Sequence, residues 1–355
     1  MNRAIILTDG KAGHENQSKA FARAIGCDAE IVPVAFRSRF AKMASYALSR
    51  LGIYTLGLFR FTQENLPFPD CKLQTANCQL VIGTGSGTFY AAKALAKKLG
   101  VKCAVVLTPR GYDLSAFDCI LSPQFDNAPR RPNIVAIPVN LVANDQSFYD
   151  AGVAKFKAAL QATRHHDKPN SAISQSHNPT ISQSHNPTIS QSHNLTISQS
   201  PKAVAFVIGG PNKCSTMTAD WMRSQLDEAF AATPGCEHWV TTSRRTPPDV
   251  EAVVDSFPFD YKLIYSRDHF NPIPAFVMLA DRLYVTAEST GMISEACSFG
   301  NAEVCVLDNL KPGHHKFRRF IDSLRRDGYI GTRRKVDLST QFASAKKLLT
   351  ANCKL

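Results

Sequence analysis

Apolar positions along the chain fall into two kinds of run: short continuous stretches, and longer ones with apolar residues three or four apart. In the first half the continuous runs predict strands over 4–8, 29–33, 80–82, 104–107, 119–121 and 134–137. The spaced runs predict helices over 16–25, 88–99 and 151–163. The second half repeats the scheme, with strands over 203–208, 237–241, 262–265, 282–285 and 303–307 and helices over 218–232, 273–280 and 290–299. Short apolar strands alternating with amphipathic helices indicate parallel sheets covered on both faces. The expected fold class is therefore α/β, with two Rossmann-like domains whose parallel sheets face each other across a cleft.

The halves are separated by a polar tract. From Ile173 to Ser200 the octapeptide Ile-Ser-Gln-Ser-His-Asn-Pro-Thr recurs with small changes. One apolar residue in eight does not offset the entropy of ordering such a segment, which reads as a disordered linker. The expected organisation is a first domain over 1–168, a linker over 169–201, a second domain over 202–335, and a helix or tail over 336–355. His177, His185 and His193 follow from the duplication and carry no metal reading.

The 355 residues hold 10 cysteines, none in a Cys-x-x-Cys pair, which fits reduced thiols rather than a disulfide framework or structural zinc. No run reaches the roughly 20 apolar residues of a membrane-spanning helix, and the chain opens on a strand without a signal-peptide core, so a cytoplasmic location is expected. A net charge of +12 points to an anionic partner. No nucleic-acid-binding module is recognisable, so nucleic acid is not expected. The segment 36–61 mixes basic, aromatic and aliphatic residues without one acid. It reads either as a surface lying on anionic lipid or as a core helix with snorkelling basic side chains.

Candidate chemistry sits where strands end. Gly10 and Gly13 follow the first strand and lead to His14, a candidate base whose pKa a helix N-terminus is expected to lower, with Asp9 and Glu15 as alternative bases or as groups that orient it. Gly83, Gly85, Ser86 and Gly87 form a second loop where backbone can approach a ligand closely. Its spacing is Gly-x-Gly-x-Gly, so the dinucleotide fingerprint fails. Gly209, Gly210 and Lys213, with Asn212 and Ser215, open the second domain as a candidate phosphate loop. Ser243 and Arg245, beside Arg244, could clamp a diphosphate. Glu288, Ser289 and Glu295 bracket the last candidate loop, where a carboxylate could accept from ribose hydroxyls; a helix capping box is the alternative there.

The run Asp9-Gly-Lys-Ala-Gly-His-Glu-Asn-Gln17, with Val207-Ile-Gly-Gly-Pro-Asn-Lys213, Thr241-Thr-Ser-Arg-Arg-Thr-Pro247, Asn271-Pro-Ile-Pro274 and the 285–296 segment, resembles the fission-factor family named for elongated mitochondria in plants. Bacterial members of that family are proposed to be glycosyltransferases. The family in turn resembles GT-B glycosyltransferases, above all the lipid-linked N-acetylglucosaminyl transferase of peptidoglycan synthesis. That likeness implies that the 83–87 loop faces acceptor phosphates and that Glu295 accepts from the ribose.

The combined reading is a GT-B-type transferase that moves a sugar from a nucleotide-sugar to an envelope glycolipid or polysaccharide, peripheral at the inner face of the cytoplasmic membrane. The nucleotide-sugar is a substrate and no cofactor is expected. No Asp-x-Asp pair ends a strand, so no metal site is expected and leaving-group charge falls to Lys213, Arg245 and helix dipoles. A catalytically silent membrane-associated adaptor is the alternative, and a nucleotide-dependent oxidoreductase is disfavoured by the failed fingerprint.

Overall fold

The computed structural model describes residues 3–61, 78–166, 202–313 and 315–351. The 169–201 segment read as a linker, with its repeat histidines, lies outside the described residues.

In the first half the chain runs β1 (Arg3–Thr8), α1 (Ala12–Ala24), β2 (Asp28–Phe36), α2 (Arg39–Arg50), β3 (Phe59–Phe61), β4 (Cys78–Thr84), α3 (Phe89–Leu99), β5 (Lys102–Val106), β6 (Cys119–Pro123) and β7 (Ile134–Ile137). These strands form one sheet in the order β3-β2-β1-β4-β5-β6-β7. Neighbours are parallel except β3, which pairs antiparallel with β2 at the edge. Alternate residues of the central strands serve opposite cores. Ile5, Leu7, Val81 and Val105 pack with Phe89, Tyr90 and Leu95 of α3. Ala4, Ile6, Leu80, Ile82 and Ala104 pack with Phe21 of α1 on the other face. Burial on both faces is why these strands are continuous apolar runs.

The second half runs α4 (Gln146–His166), β8 (Ala203–Val207), α5 (Ala219–Ala231), β9 (Glu237–Thr241), α6 (Pro248–Ser256), β10 (Tyr261–Leu263), α7 (Ile273–Leu279), β11 (Arg282–Thr286), α8 (Thr290–Ser298), β12 (Glu303–Leu307), α9 (Lys316–Arg326) and α10 (Ser339–Thr350). Its five strands are all parallel, in the order β10-β9-β8-β11-β12. Helix α4 packs here: Phe156 is fully buried, its ring 4.9 Å from those of Trp239 and Tyr261. Helix α10 crosses back, burying Ala345 and Leu349 against Ile6 and Leu121 of the first sheet. Two Rossmann-like units facing across a cleft, joined by such crossings, constitute the GT-B architecture.

Helices α2, α6 and α9 and strand β3 extend the elements expected from the sequence. The basic segment 36–61 resolves into the end of β2, α2, a 3₁₀ turn at Leu56–Leu58, and β3. Helix α2 turns Ser45 and Ser49 inward, where they meet the hydroxyls of Tyr112 and Tyr54 at 3.0 and 3.2 Å. Its Phe40 and Met43 point out, 82% and 68% exposed, with Leu51 and Ile53 exposed just beyond. Tyr46 and Leu48 of the same helix are partly buried against the first core, so α2 covers the core with one face and leaves an apolar, basic face exposed.

Candidate functional site

Both sheets reverse strand order between a first strand and its later neighbour, at β1/β4 and at β8/β11, and ligands bind beyond the carboxyl ends of strands at such points. A cleft of about 660 Å³ lies between the halves. The first half lines it with Gly13, His14, Gln17, Leu107 and Asp126, and the second with Thr290, Gly291, Met292, Glu295, Lys316 and Phe317. The connecting stretch 140–144 forms part of its wall.

His14 stands in the first turn of α1, and its Nδ1 lies 3.1 and 3.2 Å from the two carboxylate oxygens of Asp9. With Nδ1 donating to Asp9, Nε2 is the nitrogen left to accept a proton. Burial favours the protonated form of Asp9, but Lys11, whose ammonium is 2.7 Å away, and His14 outweigh it, so the carboxyl titrates below its usual range. Asp9 thus orients His14. Glu15 turns away to Lys19 at 2.7 Å, an i,i+4 pair whose hydrogen bond lowers its pKa, and it does not line the cleft.

The glycines of the β4–α3 loop make room for this pair. A Cβ on Gly85, which sits at φ +84°, would lie 2.3 Å from the His14 ring, and one on Gly87 would lie 2.8 Å from Asp9. Gly83 instead lets α3 approach β4, since its Cβ would meet Thr88 and Ala92 at 3.0 Å. Ser86 accepts from Lys42 of α2 at 3.0 Å, tying this loop to the basic helix. Gly10 takes φ +79° in the turn after β1.

In the second half the expected donor residues divide into a cleft group and a buried knot. Glu288 is the knot: its side chain has no exposed surface. Its Oε1 accepts from Gly210 N at 3.0 Å, Thr286 Oγ1 at 3.0 Å and Ser289 Oγ at 2.8 Å, and its Oε2 from Asn309 Nδ2 at 2.7 Å. Four protein donors and complete burial make this carboxylate an anchor inside the loop instead of the exposed donor contact read from the sequence. Gly209 and Gly210 sit against this knot, where a Cβ would lie 1.9 Å from Glu288 Oε1 and 2.2 Å from the Arg245 carbonyl. Their conformation serves loop packing. Arg244 and Arg245 are both exposed, and Arg245 reaches back toward the knot, its Nη2 3.9 Å from Glu288.

Asn212 and Ser215 accept hydrogen bonds within their own turn, which fixes their side chains there. Asn212 Oδ1 accepts from Cys214 N at 2.7 Å, and Ser215 Oγ from Asn212 N at 2.9 Å. Ser243 likewise bonds Thr246, with Oγ–Oγ1 at 3.1 Å. Lys213 is exposed, and neither it nor Ser243 lines the cleft.

Helix α8 is what the second half brings to the cleft. No side chain caps it: the Ser289 hydroxyl turns away to donate to Glu288, and the first intrahelical bond runs from Ile293 N to Ser289 O. The capping-box alternative therefore does not apply. The amides of Thr290, Gly291 and Met292 open the helix at the cleft wall, a polarity that favours an anion. One and a half turns on, Glu295 is buried, with 6% exposure. Its Oε1 accepts from Tyr149 Oη at 2.9 Å and Asn144 Nδ2 at 3.1 Å. Burial pushes this carboxyl above the ordinary range, and the two hydrogen bonds offset the rise only in part.

Sequence reasoning missed Asn144, Tyr149, Lys316 and Phe317. The first two lie on the stretch that joins the halves, and the others on a helix it had not placed. Only tertiary contact brings these residues to Glu295 and the cleft.

No curated protein matches the chain by sequence. Among solved structures it is similar to the MnaA–UDP co-structure from S. aureus (12% identity, TM-score 0.44, covering 97% of this chain and 94% of that one). It is also similar to UDP-GlcNAc 2-epimerase from Neisseria meningitidis bound to UDP-GlcNAc (13%, 0.42, 98% of each). A third is MurG from Acinetobacter baumannii (10%, 0.42, 99% and 95%). The sequence model of the family described as Mitochondrial fission ELM1 matches residues 12–348, nearly the whole chain, and the protein therefore belongs to that family.

Proposed function

We propose that the protein is a glycosyltransferase that takes a sugar from a nucleotide donor. One observation carries the reading: a carboxylate-held histidine from one half and an uncapped helix N-terminus with a buried glutamate from the other line the same cleft. In this proposal the diphosphate lies at the start of α8, where backbone amides stabilise the charge that develops on the leaving group. Glu295 accepts from the ribose. His14 Nε2 takes the proton of an acceptor hydroxyl, while Asp9 stabilises the imidazolium that forms. The donor is a substrate and no cofactor or metal enters the scheme.

The acceptor we propose is an envelope glycolipid or polysaccharide, met at the inner face of the cytoplasmic membrane. Support comes from α2, whose exposed Phe40 and Met43 lie among Arg39, Lys42 and Arg50, and whose Lys42 reaches the loop over His14. Such a face suits an anionic bilayer. No described helix is long and apolar enough to cross one.

The same exposed face favours a second reading, a catalytically silent adaptor held at a membrane. Turnover separates the two. The purified protein is given a panel of nucleotide-sugars with lipid-extract acceptors, and release of nucleoside diphosphate is followed. His14→Asn is expected to lose roughly 10²–10⁴ in rate with donor binding retained. Absence of saturable nucleotide-sugar binding in the wild type overturns the enzyme and leaves the adaptor.

A further inference from the structure

Helix α9 begins with its charges reversed. The first turn of a helix carries partial positive charge and favours acidic side chains, yet this one holds Lys316, Arg318 and Arg319 and no acid. Two of the three are engaged. Arg318 Nη2 meets Asp308 at 3.1 Å, and Arg319 Nε donates to the Phe125 carbonyl at 3.0 Å. Lys316 has no ion pair among the described residues, and its ammonium lies 5.5 Å from the Phe317 ring.

Its position gives that charge a direction. Of the described residues that line the cleft, Lys316 is the one lysine or arginine. The two acids there are already bonded: Asp126 accepts from Thr108 Oγ1 at 3.3 Å and lies 3.6 Å from Arg110, and Glu295 accepts from Tyr149 and Asn144. Lys316 and the open start of α8 are thus the cation and the free amide donors of this half of the cleft, and neither is bonded to a carboxylate among the described residues. A cation placed against its own helix dipole, unpaired and at a cavity wall, breaks a local rule in the way functional sites do.

We infer that Lys316 is the anion-recognising side chain of the cleft, holding an oxyanion of the donor: a phosphate oxygen of a nucleoside diphosphate, or the carboxylate of an acidic donor sugar. The inference rests on the donor-site reading and moves to Lys316 the role expected of Lys213 and Arg245.

The test is calorimetric titration of wild type, Lys316→Gln and Lys316→Arg with UDP, GDP, ADP, their glucose conjugates and UDP-glucuronate. Lys316 is exposed, so both variants keep the fold, which matching thermal unfolding verifies. Loss of a charge-assisted hydrogen bond is expected to weaken binding about tenfold or more in Lys316→Gln, with Lys316→Arg close to wild type. Equal weakening of a nucleotide and its conjugates identifies the phosphate as the group held. Weakening confined to UDP-glucuronate identifies the sugar carboxylate. Unchanged affinity of Lys316→Gln for every probe that the wild type binds overturns the inference alone. A wild type that binds none of them overturns the donor-site reading and this inference with it.

Discussion

Glu288 decides between two accounts of the second half, so its removal is the most informative single substitution. Glu288→Ala strands the Gly210 N–H and the Asn309 amide, both buried, while the Thr286 and Ser289 hydroxyls can rotate to other acceptors. Each stranded donor costs about 1–3 kcal/mol, so the loss is on the order of 2–6 kcal/mol before any cavity is counted. At about 2–4 °C per kcal/mol for units of this size, the midpoint of thermal unfolding falls by roughly 5–20 °C. Glu288→Gln keeps the shape but turns one acceptor into a donor facing Asn309. The Asn309 Oδ1 is buried without a partner and can turn to meet it, so the glutamine variant should sit between alanine and wild type. Scanning calorimetry on the three proteins measures this. A Glu288→Ala protein as stable as wild type but unable to bind nucleotide would refute the structural role and restore the carboxylate as a ligand contact.

Three further outcomes are expected. Gly85→Ala places a methyl inside the His14 ring position at φ +84°, which costs about 1–2 kcal/mol of backbone strain and displaces the imidazole; turnover should fall far more than stability, and unchanged turnover would show that the His14 position is immaterial. Tyr149→Phe removes a hydrogen bond that lowers the Glu295 pKa, which burial has already raised. Because this carboxyl ionises above its unfolded pKa, ionisation costs stability as pH rises, and Tyr149→Phe should increase that cost. Its acid limb of nucleotide binding should also shift to higher pH, and coincident pH profiles would remove Glu295 from donor binding. Phe40→Ser with Met43→Ser should abolish co-sedimentation with anionic vesicles and spare donor binding in solution; retained sedimentation would place the membrane contact elsewhere.

The strands were legible because burial on both faces leaves a continuous apolar signal that no neighbour alters. β7 falls on 134–137 and β12 on 303–307, as the runs predict. Helix α9 shows how such a signal is overlooked. Its apolar positions Phe317, Phe320, Ile321 and Leu324 keep helical spacing, but a run dense in arginine hides them. The three-residue β3 offers no period of its own and exists because the edge of β2 accepts it. The catalytic candidate was half legible: the motif names Asp9, His14 and Glu15 together, and only the fold turns one acid toward the histidine and the other toward Lys19.

What the sequence by itself determined is the set of parallel strands, their grouping into two α/β halves, and the strand-end loops that carry polar chemistry. These follow from local periodicity and from where glycine and polar residues interrupt it. The tertiary structure decided what each polar group does. Burial turned Glu288 from a ligand contact into the anchor of four donors. The crossing stretch brought Asn144 and Tyr149 to Glu295 across about 150 residues of chain, a separation that loop-closure entropy leaves invisible to any local pattern. The close approach of two loops made Gly85 a condition for His14, since a glycine's use depends on the atom that fills the space where its side chain would stand.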